Sequence, residues 1–296
     1  MALVNGGVLV SLEFRRFESE DSMLRRTPWV YLLPTLVFLM TFTYLPMLQS
    51  VGEGWRHVPT VIQRPDNLNS LRVTVMYLLI VVPGSVILGL VCAIAVNGQS
   101  RTRHLARAVL FYPVILPMVV FASIWLYLLN PTTGPLALLA NEVAGRRLNL
   151  LNDPNFTLFT IAFVGILKDF GFYMLFFLAG LQSISRELME AALIDGASRW
   201  TSFWRITLPL LAPTTFYVSV IALVWTIRQV DHLYILTPRG GVFGETEVLL
   251  YRIYRIAFEY LNTPVASALS MLLFAFLVVI ALVALPRIER GIYYAE

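Results

Sequence analysis

Apolar and polar segments alternate along this sequence in a way that fits repeated passage through a bilayer. Six apolar segments reach about 20 residues or more, the length that a helix needs to span the hydrocarbon core. They cover residues of about 29–49, 71–96, 108–129, 156–181, 210–236 and 264–285. Pro83 lies in the middle of the second segment and predicts a kink there, and the third segment is interrupted by Pro113 and Pro117. The pattern predicts an all-α membrane protein with six transmembrane helices.

The segment between the fourth and fifth spans, residues 182–209, has a different pattern. It is polar, and Gly196 separates two amphipathic stretches, about 185–194 and 198–207. The second stretch carries a stripe of side chains spaced i, i+3, i+4 and i+7: Trp200, Phe203, Trp204 and Thr207. Leu208 and Pro209 are expected to end that helix before the next span. We therefore predict two short surface helices that present an aromatic edge outside the membrane.

Composition and charge narrow the class further. The chain is 58% hydrophobic and only 14% charged, which excludes a soluble globular domain. The segments that this topology places in the cytoplasm hold twelve arginines against eight outside, so the positive-inside rule puts both termini in the cytoplasm. The single cysteine, Cys92, excludes an intrachain disulfide, and the three histidines lack metal-ligand spacing. No catalytic residue and no metal ligand is predicted.

Residues 182–209 resemble the EAA loop of permease subunits of bacterial ATP-binding-cassette (ABC) importers, and we call them the EAA loop below. The shared pattern is Glu-Ala-Ala, three residues, Gly, and later Ile and Leu-Pro. The resemblance implies that the loop docks on an ATPase subunit through these residues: Glu190, Ala191, Ala192, Asp195, Gly196, Ala197, Trp200, Phe203, Ile206, Leu208 and Pro209.

Three further stretches, beginning at Tyr112, Leu167 and Arg228, are similar to carbohydrate-type ABC permeases of the MalF kind. They are most similar to the subgroup that imports sn-glycerol 3-phosphate. The resemblance covers residues 28–290 and implies a type I importer permease in the bacterial plasma membrane. It also implies a second permease subunit, two ATP-binding subunits and an extracytoplasmic solute-binding protein as partners. This chain has no phosphate-binding loop, so ATP and Mg²⁺ are expected on the partner subunits, with no cofactor bound here.

Two boundaries follow from this resemblance. Residues 1–28 are expected to be a cytoplasmic tail, and residues 29–290 the permease domain. The sequence from Met23 reads as a natural permease start, so residues 1–22 are a candidate mis-assigned extension.

Charged and aromatic side chains inside the spans are candidates for the solute pathway. Charge within a membrane span by default marks a pathway or a buried pair. The hypothesis is a cationic cavity for a phosphate-bearing solute, with the alternative that the charges are structural ion pairs that include Arg228 with Asp231. The candidates are Lys168, Asp169, Tyr173, Arg228, Asp231 and His232.

Aromatic side chains at Phe172, Trp225 and Tyr234 are further candidates for stacking on a sugar, against ordinary packing as the alternative. A permease for neutral di- or oligosaccharides remains open within the same family. A stand-alone secondary transporter is a more distant alternative, since no half-to-half repeat is evident. An intramembrane enzyme lacks a nucleophile motif here.

Overall fold

A computed structural model describes residues 31–145 and 149–289, and within these ranges the regular structure is helical. The proposed tail and the question of residues 1–22 lie outside the described residues. The helices are α1 (Tyr31–Trp55), α2 (Val58–Ile62), α3 (Pro65–Val96), α4 (Arg101–Ile115), α5 (Met118–Leu128), α6 (Pro135–Ala144), α7 (Thr157–Ser183), α8 (Arg186–Ile194), α9 (Arg199–Leu210), α10 (Ala212–Arg228), α11 (Asp231–Leu236), α12 (Leu249–Tyr254) and α13 (Thr263–Glu289).

The predicted all-α membrane fold is confirmed. Among the described helices, α1, α3, α7 and α13 are each long and apolar enough to cross a bilayer. Two bent pairs, α4 with α5 and α9 with α10, pass the same test when each pair counts as one span. Residues 31–145 and 149–289 therefore hold four candidate spans, or six if both pairs cross. The predicted second span continues through Pro83 as one helix.

The centre of the bundle is the pair α3 and α7, which run in the same direction. Tyr173, Met174 and Phe177 of α7 are buried in one core cluster with Val86 and Ala93 of α3. Helix α10 adds Val218 and Ala222 to the same cluster. Helix α4 runs antiparallel to α7, as shown by the approach of Gly171 to the backbone of Leu110. The central helix α7 therefore touches most of the other spans.

The third span, predicted to be interrupted by Pro113 and Pro117, consists of two helices that meet at 99°. Leu116 and Pro117 at the break have extended backbones, with ψ of 138° and 141°. Pro117 has no N–H to donate, and it disfavours the helical conformation at the residue before it. Pro113 instead lies inside α4 without breaking it.

The fifth span also differs from the prediction of about 210–236. Helix α10 ends at Arg228, Gln229 is extended, and α11 begins at Asp231. Helix α9, which was expected to end at Leu208 and Pro209, ends one residue later at Leu210. A π-helical turn over Phe203–Thr207 lets the backbone N–H of Leu208 reach the carbonyl of Phe203, five residues back. Proline is accommodated beyond this wider turn, and α9 runs to Leu210 before a bend of 64° into α10.

Helix α1 packs on α13 through its second half, Leu45–Trp55, but its side chains stay largely exposed within this chain. All side chains from residue 31 to residue 53 are exposed. The approach to α13 comes at Gly54, where an added Cβ atom would lie 2.8 Å from the backbone nitrogen of Ala268. An apolar helix this exposed within one chain is a surface for lipid or for another subunit.

Candidate functional site

The EAA loop folds into two capped helices, close to the predicted bounds. The hydroxyl of Ser185 accepts a hydrogen bond from the backbone N–H of Leu188 and caps α8. The hydroxyl of Ser198 accepts from the N–H of Thr201 at 3.1 Å and caps α9. Each cap satisfies a backbone donor that the first helical turn leaves free.

Gly196 joins the two helices in the left-handed conformation, with φ of 77°. The N–H of Ala197 donates to the carbonyl of Ala192 at 3.0 Å, and the N–H of Gly196 donates to Leu193 at 3.1 Å. This pair of bonds is the Schellman motif that ends many helices with a glycine. The motif fixes the angle between α8 and α9 by backbone hydrogen bonds, so the loop is a defined elbow.

The aromatic stripe of α9 has two residues exposed at the surface, Trp200 and Trp204, and two that face a pocket, Phe203 and Thr207. The side chain of Trp200 is 71% exposed and that of Trp204 is 50% exposed. Their rings meet edge to face with centroids 5.6 Å apart. Leu193 and Ile194 of α8 are exposed as well, so the elbow carries an apolar edge. Exposed aromatic and aliphatic groups on a rigid support are typical of a protein-binding surface.

Phe203 and Thr207 face a pocket of about 740 Å³ behind this edge. Glu190 and Arg186 of α8 line the same pocket, together with the ends of α3 and α7. Of the other predicted loop residues, Ala192 is buried, Ala197, Ile206 and Leu208 are half-buried, and these are exposed: Ala191, Asp195, Gly196 and Pro209.

The predicted pathway residue Lys168 is buried in α7, with 5% of its surface exposed. Its ammonium group donates a hydrogen bond to the backbone carbonyl of Val114 at 3.0 Å. Asp169 is buried beside it, and its carboxylate interacts with the side chain of Gln229. The two charges therefore contact other helices in the bundle.

His232 and Tyr173 are also fully buried. The Nε2 atom of His232 lies 2.6 Å from the hydroxyl of Tyr77 on α3. Arg228 and Asp231, in contrast, are exposed, and they form no ion pair with each other in the described chain. The six candidates thus do not line one open cavity: four are packed inside and two are at the surface.

A ladder of aromatic rings follows the α7–α10 contact and ends near Arg228. Phe172 stacks on Trp225 with centroids 4.5 Å apart, and Phe176 contacts Phe172 and Tyr217. These rings are half-buried, except that of Tyr217, which is exposed. Sequence reasoning considered Phe172 and Trp225 but missed the ladder. The signal is present as i, i+4 spacing on α7 and as Tyr217, Trp225 and Arg228 on one face of α10.

The segment between α11 and α13 holds a charged network that sequence reasoning also missed. The carboxylate of Glu247 accepts hydrogen bonds from Arg252 at 2.8 Å and from Arg255 at 2.7 Å. Arg252 also donates to Asn67 of α3 at 2.6 Å. Burial acts to lower the pKa of Arg255, but its hydrogen bond with Glu259 and the charge of Glu247 raise it above its usual value. The guanidinium remains charged, and the network ties this segment to the start of α3.

In the part of the chain that the structure describes, no group of three His, Cys, Asp or Glu residues is placed to hold a metal ion.

Comparisons with known proteins identify the family. A family model described as binding-protein-dependent transport system inner membrane component matches residues 85–290. The sn-glycerol-3-phosphate transport system permease protein UgpA of Rhizobium meliloti is 28% identical over 282 residues, covering 90% of this chain and 96% of that protein.

A probable ABC transporter permease protein, PH1215, of Pyrococcus horikoshii is 29% identical and covers 88% of this chain and 96% of its own length. The solved structure of a bacterial ABC transporter involved in the import of the acidic polysaccharide alginate has the same fold. Its TM-score is 0.82 at 24% identity, over 92% of this chain and 99% of that chain. The same transporter type in complex with alginate pentasaccharide-bound periplasmic protein matches with a TM-score of 0.77 at 23% identity, over 92% of this chain and 94% of that one.

Proposed function

Because the chain belongs to the family of binding-protein-dependent transport system inner membrane components, we propose that its EAA loop couples solute passage to ATP hydrolysis by partner subunits. The chain is a permease subunit of an ABC importer and contributes membrane helices to it. The observation that carries the coupling role is the apolar edge of Leu193, Ile194, Trp200 and Trp204 on a rigid elbow. Motion of this elbow acts directly on α10, because α9 continues into it across a single bend.

The proposed assembly contains two permeases, two ATP-binding subunits and a solute-binding protein on the external side. The exposed side chains of α1 support contact with a second permease, since packing on α13 leaves every side chain from residue 31 to residue 53 exposed within one chain. The EAA loop, both termini and the ATPase subunits are placed in the cytoplasm, in agreement with the arginine distribution. ATP and Mg²⁺ are bound by the partner subunits, and this chain binds no cofactor.

The proposed solute is a glycerol-phosphate-type or carbohydrate compound. Relatives named as sn-glycerol-3-phosphate permeases support this class. Arg228 is exposed and has no partner among the described residues, so its guanidinium is available to an anionic group. The aromatic ladder beside it offers ring faces to a sugar or glycerol backbone. Asp231 follows Arg228 by three residues across the α10–α11 break and is exposed as well, and Tyr173 contacts the ladder from its buried side.

Neutral di- or oligosaccharides are the alternative solutes, and the aromatic ladder alone would serve them. The test is stimulation of ATP hydrolysis by the complete complex in liposomes, with the cognate binding protein present. We expect sn-glycerol 3-phosphate or a glycerophosphodiester to stimulate, and Arg228→Met to weaken that response. Stimulation by neutral disaccharides alone would assign the solute to the alternative class.

A further inference from the structure

Two consecutive residues of α7 contact two places where a neighbouring helix is interrupted, the α4–α5 break and the α10–α11 break. Lys168 reaches Val114 in the last turn of α4, just before the break into α5. Asp169 interacts with Gln229, the extended residue between α10 and α11. Neighbouring side chains on a helix diverge by about 100°, so two adjacent residues of α7 can contact Val114 on one side and Gln229 on another.

The carbonyl of Val114 needs a partner because the helix stops there. In a continuous helix it would accept from the N–H of residue 118, but the chain turns by 99° at Leu116 and Pro117. Unpaired carbonyls at a helix C-terminus carry partial negative charge and favour a cation. Lys168 supplies a charge-assisted hydrogen bond at 3.0 Å, and its own surface is 5% exposed.

Backbone contact one turn away holds the same two helices together. A Cβ atom added to Gly171 would lie 2.5 Å from the carbonyl oxygen of Leu110. Small residues allow membrane helices to approach this closely. Gly171 on α7 follows Lys168 by three residues and Leu110 precedes Val114 by four, so the two contacts lie on one seam. The ammonium group is therefore held at a fixed place along α4.

The second contact connects this seam to the EAA loop. Helix α10 carries the loop through α9 at one end and Gln229 at the other. Asp169 is the carboxylate next to Lys168 along α7, and the two opposite charges attract each other inside the bundle without forming a direct ion pair. Removal of either would leave its neighbour buried without compensation.

We propose that Lys168 and Asp169 are positioning residues that together form a latch, which holds the α4–α5 elbow and the α10–α11 break on α7. Displacement of α10 by the EAA loop then moves the α4–α5 elbow through α7. In this proposal Lys168 and Asp169 transmit motion between helices, and Arg228 contacts the solute. It rests on the proposed coupling role of the EAA loop.

The first test measures the elbow itself in the assembled complex. Spin labels at Val109 on α4 and Tyr127 on α5, both exposed, report its angle by pulsed electron resonance in a Cys92→Ala background. We expect one narrow distance for the parent protein and for Lys168→Arg, which retains a donor. Lys168→Met is expected to broaden the distribution. An unchanged narrow distance in Lys168→Met would overturn the latch.

The double variant Lys168→Met with Asp169→Asn serves if the single variant fails to assemble, since it leaves no unpaired charge. It is also expected to broaden the distance, and a narrow distance would count against the latch. Ser85→Ala is the control, because it removes a buried hydroxyl that has no hydrogen-bond partner in the described chain.

The second test compares ATP hydrolysis with uptake of radiolabelled sn-glycerol 3-phosphate in liposomes. Uptake per ATP is expected to fall at least about fivefold in Lys168→Met, the lower end of typical coupling between sites. Lys168→Arg should recover much of the ratio, and Ser85→Ala should not change it. A parental ratio in Lys168→Met would refute the coupling role. Absence of uptake by the parent complex would contradict the proposed solute instead, and the elbow distances would still decide the latch.

Discussion

Replacement of Glu247 by glutamine tests the charged network that holds the segment between α11 and α13. Its carboxylate side chain is 9% exposed and accepts from the guanidinium groups of Arg252 and Arg255, whose side chains are 15% and 12% exposed. Glutamine keeps the volume but removes the negative charge from between two largely buried guanidinium groups. Breaking a buried pair in this way costs about 3–5 kcal/mol.

The structure places Glu247→Gln at the lower end of that range. Arg252 keeps its hydrogen bond to Asn67, and Arg255 keeps those to Glu259 and Tyr260. We therefore expect a loss of about 3 kcal/mol in the free energy of unfolding.

The matched control is Glu259→Gln. This residue pairs with Arg255 at i, i+4, but its side chain is 36% exposed, so its loss should cost about 0.3–0.5 kcal/mol. Unfolding by SDS titration in mixed micelles, followed by tryptophan fluorescence, measures both values. Equal losses for the two variants would show that the network does not stabilise this segment.

Three further substitutions test the EAA loop and the bundle. Gly196→Ala forces a side chain into the left-handed conformation at a cost of about 1–2 kcal/mol, and we expect it to lower uptake per ATP. The control is Gly145→Ala, which has φ of 63° and open space around it and should not alter uptake per ATP. Trp200→Ala should weaken ATPase-subunit binding by about 2 kcal/mol in pull-down titrations and leave the thermal stability of the permease unchanged. Trp55→Ala is the control, because Trp55 is equally exposed, and an equal loss of binding in both variants would exclude a docking role for Trp200. Gly171→Ala meets the carbonyl of Leu110 at 2.5 Å and should destabilise the permease by about 1–3 kcal/mol in SDS titration, a prediction that an unchanged unfolding midpoint would reject.

Hydropathy and local spacing were enough to predict the all-α membrane fold and the two helices of the EAA loop. The caps at Ser185 and Ser198 and the turn at Gly196 depend on residues within a few positions of each other. Such local interactions are visible in the sequence pattern itself.

The breaks in the third and fifth spans were not predicted in their observed form. Pro117 marks where α4 must stop, but the angle of 99° depends on what α5 packs against. Pro209 carries the same helix-breaking signal, yet the π-helical turn before it lets α9 run on to Leu210 before the bend of 64°. A proline therefore restricts the backbone without determining the direction of the chain beyond it.

The partner of a charged residue could not be predicted from the sequence either when the two residues lie far apart along the chain. Lys168 binds a carbonyl 54 residues away, and Arg252 binds Asn67 from 185 residues away. From the sequence, Lys168 could equally contact the solute or hold helices together, because a buried charge and a pathway charge have the same sequence signal. Only the packing of α4 on α7 separates the two interpretations.

The most direct test of the account is uptake of solute into liposomes that contain the complete complex, with ATP inside and the loaded binding protein outside. We predict uptake that requires both ATP and the binding protein and that falls in Gly196→Ala while the complex remains assembled. Uptake driven by an ion gradient without ATP, and unaffected by Gly196→Ala, would contradict coupling through the EAA loop.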